Sequence, residues 1–186
     1  MPLDPTKPRL SIEVTDRDHA IGPADAPVTL VEYGDYECPD CGNAYPAIKR
    51  LVAEFGPRLR FVFRNYPQHN VHPHASVAAQ AAEAAGAQGR FWDMHDQLYE
   101  HQRELADIEM SRFALRLGLE IYKFDADLSS ERFAKRVAED FASGQASGVT
   151  GTPTFFINGA RYVGDRDYES LRQTITDAQP RSGGRI

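Results

Sequence analysis

The sequence predicts an α/β fold in which a strand–helix–strand unit leads into a block of helices and closes with a β-hairpin and a helix. Three observations carry this. Two β-branched and aromatic runs, Val28–Gly34 (VTLVEYG) and residues 59–66 (LRFVFRNY), flank a stretch of helical periodicity. Windows of helical spacing then fill residues 74–141. Finally, GTPTFFINGARYVG, residues 151–164, places two short apolar runs around Asn158-Gly159, the signature of a type I′ hairpin.

The elements follow in order. Leu10, Ile12 and Val14 alternate with polar residues and predict a short edge strand, with residues 16–26 as a loop. Residues 28–34 read as a central strand. Ala44, Ile48, Leu51 and Phe55 form one face of a helix that Gly56-Pro57 stops. Residues 59–66 form the next strand, with Leu59, Phe61 and Phe63 on one face. A crossover helix of this kind joins parallel strands. Helices are expected at 74–88 (alanine-rich), 91–102, 111–117 and from Ser130, where Phe133, Val137 and Phe141 recur every four residues. Tyr168, Leu171 and Ile175 mark a last helix. The expected organisation is an N-terminal strand and loop (1–26), a single domain (27–179) with a helical insertion at about 72–146, and a flexible tail (180–186).

Composition narrows the function. The chain has 186 residues, 41% of them hydrophobic, enough for a real core. Its net charge of -6, from 27 acids against 21 bases, argues against nucleic acid as a partner. No apolar run approaches the roughly 18 residues that span a membrane. The opening MPLDPTKPRL lacks the apolar core of a secretory signal, so the expected location is cytoplasmic; a periplasmic or extracytoplasmic one follows if a leader has been trimmed.

The only two cysteines, Cys38 and Cys41, stand in YECPDCGNAYP. A structural clasp is a poor reading, because so short a loop constrains the unfolded chain little. A metal half-site would need more ligands; His72 and His74 could complete a Cys2His2 set, but they read better as the start of the alanine-rich helix. His95 and His101 read as packing or surface residues. A catalytic pair fits the context. Cys38 lies between a strand and a helix N-terminus, where free N–H groups and the helix dipole favour a thiolate. Pro39 suits the first helical turn. Such sites lower a cysteine pKa to roughly 3.5–7.5. Cys41 sits about one turn on and can resolve a mixed disulfide formed by Cys38. Gly151-Thr152-Pro153-Thr154 precedes the strand run 155–157; proline is allowed at a strand start, and a cis Thr152-Pro153 peptide would fit a functional constraint.

Together, AIGPADAPVTLVEYGDYECPDCG, the helical block and GTPTFFINGARYVG resemble the DsbA-like thioredoxin-fold family over residues 16–178. The resemblance implies a thioredoxin-like fold and a protein thiol–disulfide oxidoreductase. It implies that Thr152-Pro153 is cis, faces the cysteines and, with Thr152, binds an extended substrate segment. It also implies that Glu32 is a buried acid beneath the disulfide. The residues agree in part: Glu32 shares a strand face with Val28 and Leu30, and a buried carboxylate of raised pKa could take a proton from Cys41. Glu37, beside the cysteine, reads as a solvated rim charge.

Asp40 is the departure. Strongly oxidising relatives carry His at this position. A carboxylate about 7 Å from the sulfur, at an effective dielectric of about 40, costs the thiolate about 1 kcal/mol. Asp40 and Pro39 are therefore the redox-tuning positions, and the pair is expected to be less oxidising than periplasmic DsbA, with oxidase or isomerase as alternatives. No bound cofactor or metal is expected, because electrons pass between thiols. Expected partners are protein thiol or disulfide substrates and a redox partner, and the chain is expected to be monomeric. Two other classes stay open: a metal- or protein-binding module on the same fold, and a glutathione-linked transferase, against which Cys41 argues.

Overall fold

The computed structural model describes residues 8–180, so the expected tail and the first residues of the N-terminal segment lie largely outside the described residues. The elements run β1 (His19–Ile21), β2 (Val28–Gly34), α1 (Pro39–Phe55), β3 (Leu59–Asn65), α2 (Ala75–Gly86), α3 (Phe91–Glu100), α4 (Asp107–Arg116), α5 (Ile121–Ser129), α6 (Ala134–Ala146), β4 (Thr154–Ile157), β5 (Ala160–Arg161) and α7 (Tyr168–Ala178). The strands form one sheet in the order β1-β3-β2-β4-β5. β2 and β3 are parallel across the α1 crossover, and the other pairings are antiparallel. This is the predicted α/β architecture.

β2 is paired on both edges and covered on both faces, which is why VTLVEYG is apolar almost throughout. One sheet face carries Val28, Leu30, Phe61, Phe63, Phe155 and Ile157 into the main core, against Ala44, Ile48, Leu51 and Phe55 of α1 and Leu171 and Ile175 of α7. The other face carries Val31, Val62 and Phe156 into a smaller core with Tyr33, Tyr66 and Val149. α1 ends at Gly56, whose φ of 50° suits glycine. Asn158 and Gly159 have φ of 49° and 77°, the two left-handed positions a type I′ turn demands.

The N-terminal expectations are corrected. The edge strand is His19–Ile21, inside the segment expected to be a loop, and residues 10–14 form no strand. Backbone accounting explains this. Arg64 on β3 donates to the carbonyls of Ile12 (3.0 Å) and Glu13 (3.1 Å), and the Ser11 N–H donates to Ser147 Oγ at 3.0 Å. Side chains thus occupy groups that a sheet ladder would have used, while Leu10 and Val14 still pack on the smaller core. Asp18 closes the arrangement through a buried ion pair with Arg64 at 2.7 Å.

The helix expected from Ser130 starts at Ala134. Ser130 instead ends α5, its hydroxyl donating to the Ala126 carbonyl at 2.8 Å. α5 was not expected, although Ile121, Phe124 and Leu128 recur at helical spacing and pack on the main core; the same inward side also buries an acid, Asp127, that accepts from Arg132 at 2.8 Å. Among the described residues no helix is long and apolar enough to cross a membrane.

Candidate active site

β2 delivers its C-terminal end to a short turn, and α1 starts at once beyond it. Cys38 is the N-cap of α1 with extended backbone (φ -72°, ψ 120°), and Pro39 takes the first helical position. The turn is pinned from three sides. The Cys38 N–H donates to the Asp35 carbonyl at 3.1 Å, and the Gly42 N–H donates to the Cys38 carbonyl at 3.1 Å. Gln102, just beyond α3, donates from its side-chain amide to the carbonyls of Tyr36 (2.9 Å) and Cys38 (2.8 Å). A Cβ at position 42 would fall 2.3 Å from Gln102 Oε1, so glycine after the second cysteine is what lets this clamp approach.

Both cysteines are buried and unbridged, Cys41 completely. The Thr152–Pro153 peptide is cis, and the Cys38 thiol donates to the Thr152 carbonyl at 3.4 Å. The cysteine pair and the proline turn, 114 positions apart in the chain, therefore meet. The two thiols are electrostatically unlike. The Cys38 pKa falls to about 5: a hydrogen bond from the Cys41 thiol outweighs the penalty of burial, helped by the Thr152 side chain and the N–H groups of Cys41 and Asp40. The Cys41 thiol is pushed well up, by burial first, then by its bond to Cys38 and the nearby Glu32.

Glu32 is 3% exposed, on the β2 face that meets α1. Burial, then the charge of Cys38, pushes its pKa up to about 8. Asp40 is exposed and pairs with Arg166 across 3.5 Å, in the loop before α7. The repulsion expected between Asp40 and the thiolate therefore has a partial counter-charge that the sequence spacing does not reveal.

Glu37 is not a solvated rim charge. It accepts from the His74 backbone N–H at 2.6 Å and from His74 Nδ1 at 2.9 Å, capping the entry to α2. His72 Nδ1 donates to Asp35 Oδ2 at 2.8 Å. The two histidines thus serve separate carboxylates, and among the described residues no cluster of three or more His, Cys, Asp or Glu side chains is arranged to hold a metal. His95 lies among Phe63, Trp92, Tyr36 and Tyr99, where burial lowers its pKa to about 3 and leaves it neutral packing. Three residues that sequence reasoning did not assign to the site belong to it: Asp35, Gln68 and Gln102. Asp35 is 1% exposed and accepts from the Glu37 N–H, the Gln68 N–H and His72, each at 2.8 Å. Gln68 in turn donates to Thr152 Oγ1 at 3.0 Å. An acidic residue directly after a central strand and ahead of CxxC was the one available signal.

Comparison with known proteins points the same way. Residues 14–177 match the family model described as Thioredoxin. BdbD from Bacillus subtilis superposes with a TM-score of 0.80 at 26% identity, over 92% of this chain and 96% of that one. A thioredoxin-like oxidoreductase from Silicibacter pomeroyi gives 0.78 at 27% identity, over 88% and 93%. A Na(+)/H(+) antiporter NhaA 1 from Salinispora arenicola is 50% identical over 163 residues, 88% of this chain but 25% of that protein. The chain thus spans about a quarter of the length of the curated relatives it matches.

Proposed function

The chain belongs to the thioredoxin family, and we propose that it is a DsbA-like thiol–disulfide oxidoreductase that exchanges electrons with protein dithiols and disulfides through Cys38 and Cys41. The observation that carries the reading is the asymmetry of the pair: a thiolate-prone Cys38 at a helix N-terminus, beside a buried Cys41 that holds its proton. In the reducing direction, the Cys38 thiolate attacks a substrate disulfide and expels one substrate thiolate, which takes a proton from solvent. Cys41 then loses its proton to the Glu32 carboxylate and attacks Cys38 Sγ. The Cys38–Cys41 disulfide forms and the second substrate thiolate leaves. Oxidation of a dithiol runs through the same steps in reverse.

Thr152 and Pro153 present the substrate strand. The surface beside them, lined by Tyr162 and Val163 together with Arg161 and Arg166, offers a mixed apolar and basic bed for it. Cytoplasmic operation belongs to the same proposal: the chain has no cysteine beyond the active pair, so nothing in it depends on an oxidising compartment. The test is twofold. Alkylation of reduced protein should be half-maximal near pH 5, and insulin should be reduced with dithiothreitol as electron source. A midpoint near the ordinary cysteine value, with no insulin reduction, overturns the reading.

The poise is proposed to be milder than that of relatives with His at position 40. Supporting this is the carboxylate of Asp40 beside the thiolate, moderated by Arg166. Asp40→His should lower the Cys38 pKa by about half to one unit and raise the reduction potential by about 15–30 mV, read by glutathione redox titration. An unchanged potential removes Asp40 from the tuning positions.

The antiporter relatives favour a second reading, in which the dithiol serves a membrane transporter as its redox-responsive module. Capture by Cys38 in a Cys41→Ser variant separates the two, because the trapped partner is then that transporter rather than a varied set of thiol proteins.

A further inference from the structure

The CPDC dipeptide offers Cys38 no cation, yet a basic residue does reach the turn from outside it. His72 lies in the loop between β3 and α2, half-buried, with Nδ1 donating to Asp35 Oδ2 at 2.8 Å. Asp35 is the residue whose carbonyl accepts the Cys38 N–H, so the same residue holds both the histidine and the nucleophile's backbone. A carboxylate acceptor fixes the proton on Nδ1 and favours the doubly protonated ring.

We propose that His72, held by Asp35, is the positioning residue that supplies the positive charge for the Cys38 thiolate, in place of a base within the dipeptide. The inference rests on the exchange reading of Cys38 and adds its electrostatic partner. The groups facing His72 from every neighbouring element are Asp35 and Glu37 in the β2–α1 turn and Cys38 at the start of α1. On its own loop, His74 is engaged by Glu37. The turn before β4 contributes only the uncharged Thr152, which Gln68 holds at 3.0 Å. The charged groups with the largest effect on His72 are thus the acids Asp35 and Glu37 and the thiol itself. Burial pulls the His72 pKa down, but the bond and charge of Asp35, then the charges of Cys38 and Glu37, carry it above the ordinary histidine value.

The sign of the linkage follows. In the disulfide form Cys38 carries no charge, and Asp35 with Glu37 steadies the imidazolium. In the dithiol form the thiolate adds to it, so the His72 pKa is higher in the reduced protein. Reduction therefore takes up part of an additional proton at pH values between the two His72 pKa values. Below that range the cation is present in both forms; above it the thiolate loses its partner and the disulfide becomes a weaker oxidant.

The experiment follows the His72 imidazole by NMR across pH in the reduced and oxidised wild-type protein, and the Cys38 alkylation midpoint in His72→Gln and His72→Lys. The imidazole pKa should be higher by about 0.5–1 unit in the reduced protein, a three- to tenfold effect. His72→Gln, which keeps a donor for Asp35, should raise the Cys38 midpoint by the same amount, as reciprocity requires. His72→Lys should restore the low midpoint. Identical imidazole titrations in the two redox states overturn the proposal, as does an unmoved midpoint in His72→Gln. Because these readouts need no substrate, their failure is distinguishable from a failure of insulin reduction.

Discussion

Cys41→Ser should turn a catalyst into a trap. Cys38 keeps its helix N-terminus and the N–H groups of residues 40 and 41, so it still attacks a substrate disulfide. Nothing then breaks the mixed disulfide from within. Turnover should fall at least about a thousandfold, while covalent complexes accumulate that dithiothreitol dissolves. The serine hydroxyl still donates to the thiolate, but as a weaker acid it should leave the Cys38 midpoint somewhat above about 5. Cys38→Ser should abolish both turnover and trapping without unfolding the protein, since the position is an N-cap that serine favours. Non-reducing electrophoresis after rapid acid quench reads both variants. Equal trapping by Cys38→Ser and Cys41→Ser would mean that Cys38 is not the attacking sulfur.

The cysteine pair was legible because its chemistry is local. A strand of apolar residues, a proline at N1 and a helix of spacing 4-3-4 place Cys38 without any tertiary information. The hairpin was legible for the same reason: Asn158 and Gly159 adopt left-handed backbone wherever such a turn forms. What the sequence hid was long-range. Asp35 and His72 are 37 positions apart, and Asp40 and Arg166 are 126 apart. Neither partner has a local pattern that names the other. The misplaced edge strand has a related cause. Alternation in residues 10–14 reports one face packed on apolar neighbours, but whether the backbone joins a ladder depends on competing donors, here Arg64 and Ser147. α5 was the one helix whose signal was local and passed over: Ile121, Phe124 and Leu128 hold helical spacing, but the stripe is short and is interrupted by the buried acid Asp127.

Glu32→Gln should stabilise the protein and slow it, and the two effects have one origin. An acid whose folded pKa lies above its unfolded value keeps its proton in the native state after the unfolded chain has lost it. Stability therefore falls as pH rises from the ordinary glutamate value of 4.5, and levels off beyond the folded value of about 8. At pH 7 the cost is about 3 kcal/mol, so an isosteric amide should raise the melting temperature of the reduced protein by roughly 5–10 °C. The gain should shrink toward zero below pH 4.5, where the acid is neutral in both states. Catalysis pays the reverse. Cys41 holds its proton far more tightly than an ordinary thiol, and Glu32 is the buried base on the same side of β2. Without it, the resolving step should slow by roughly a hundredfold near neutral pH, and the deficit should narrow as hydroxide takes over at higher pH. Calorimetry across pH 4–9 and stopped-flow resolution of a preformed mixed disulfide separate the two effects. A variant no more stable at pH 7 than the parent would show that Glu32 is not carried as a strained acid; an unchanged resolution rate would show that Cys41 loses its proton by another route.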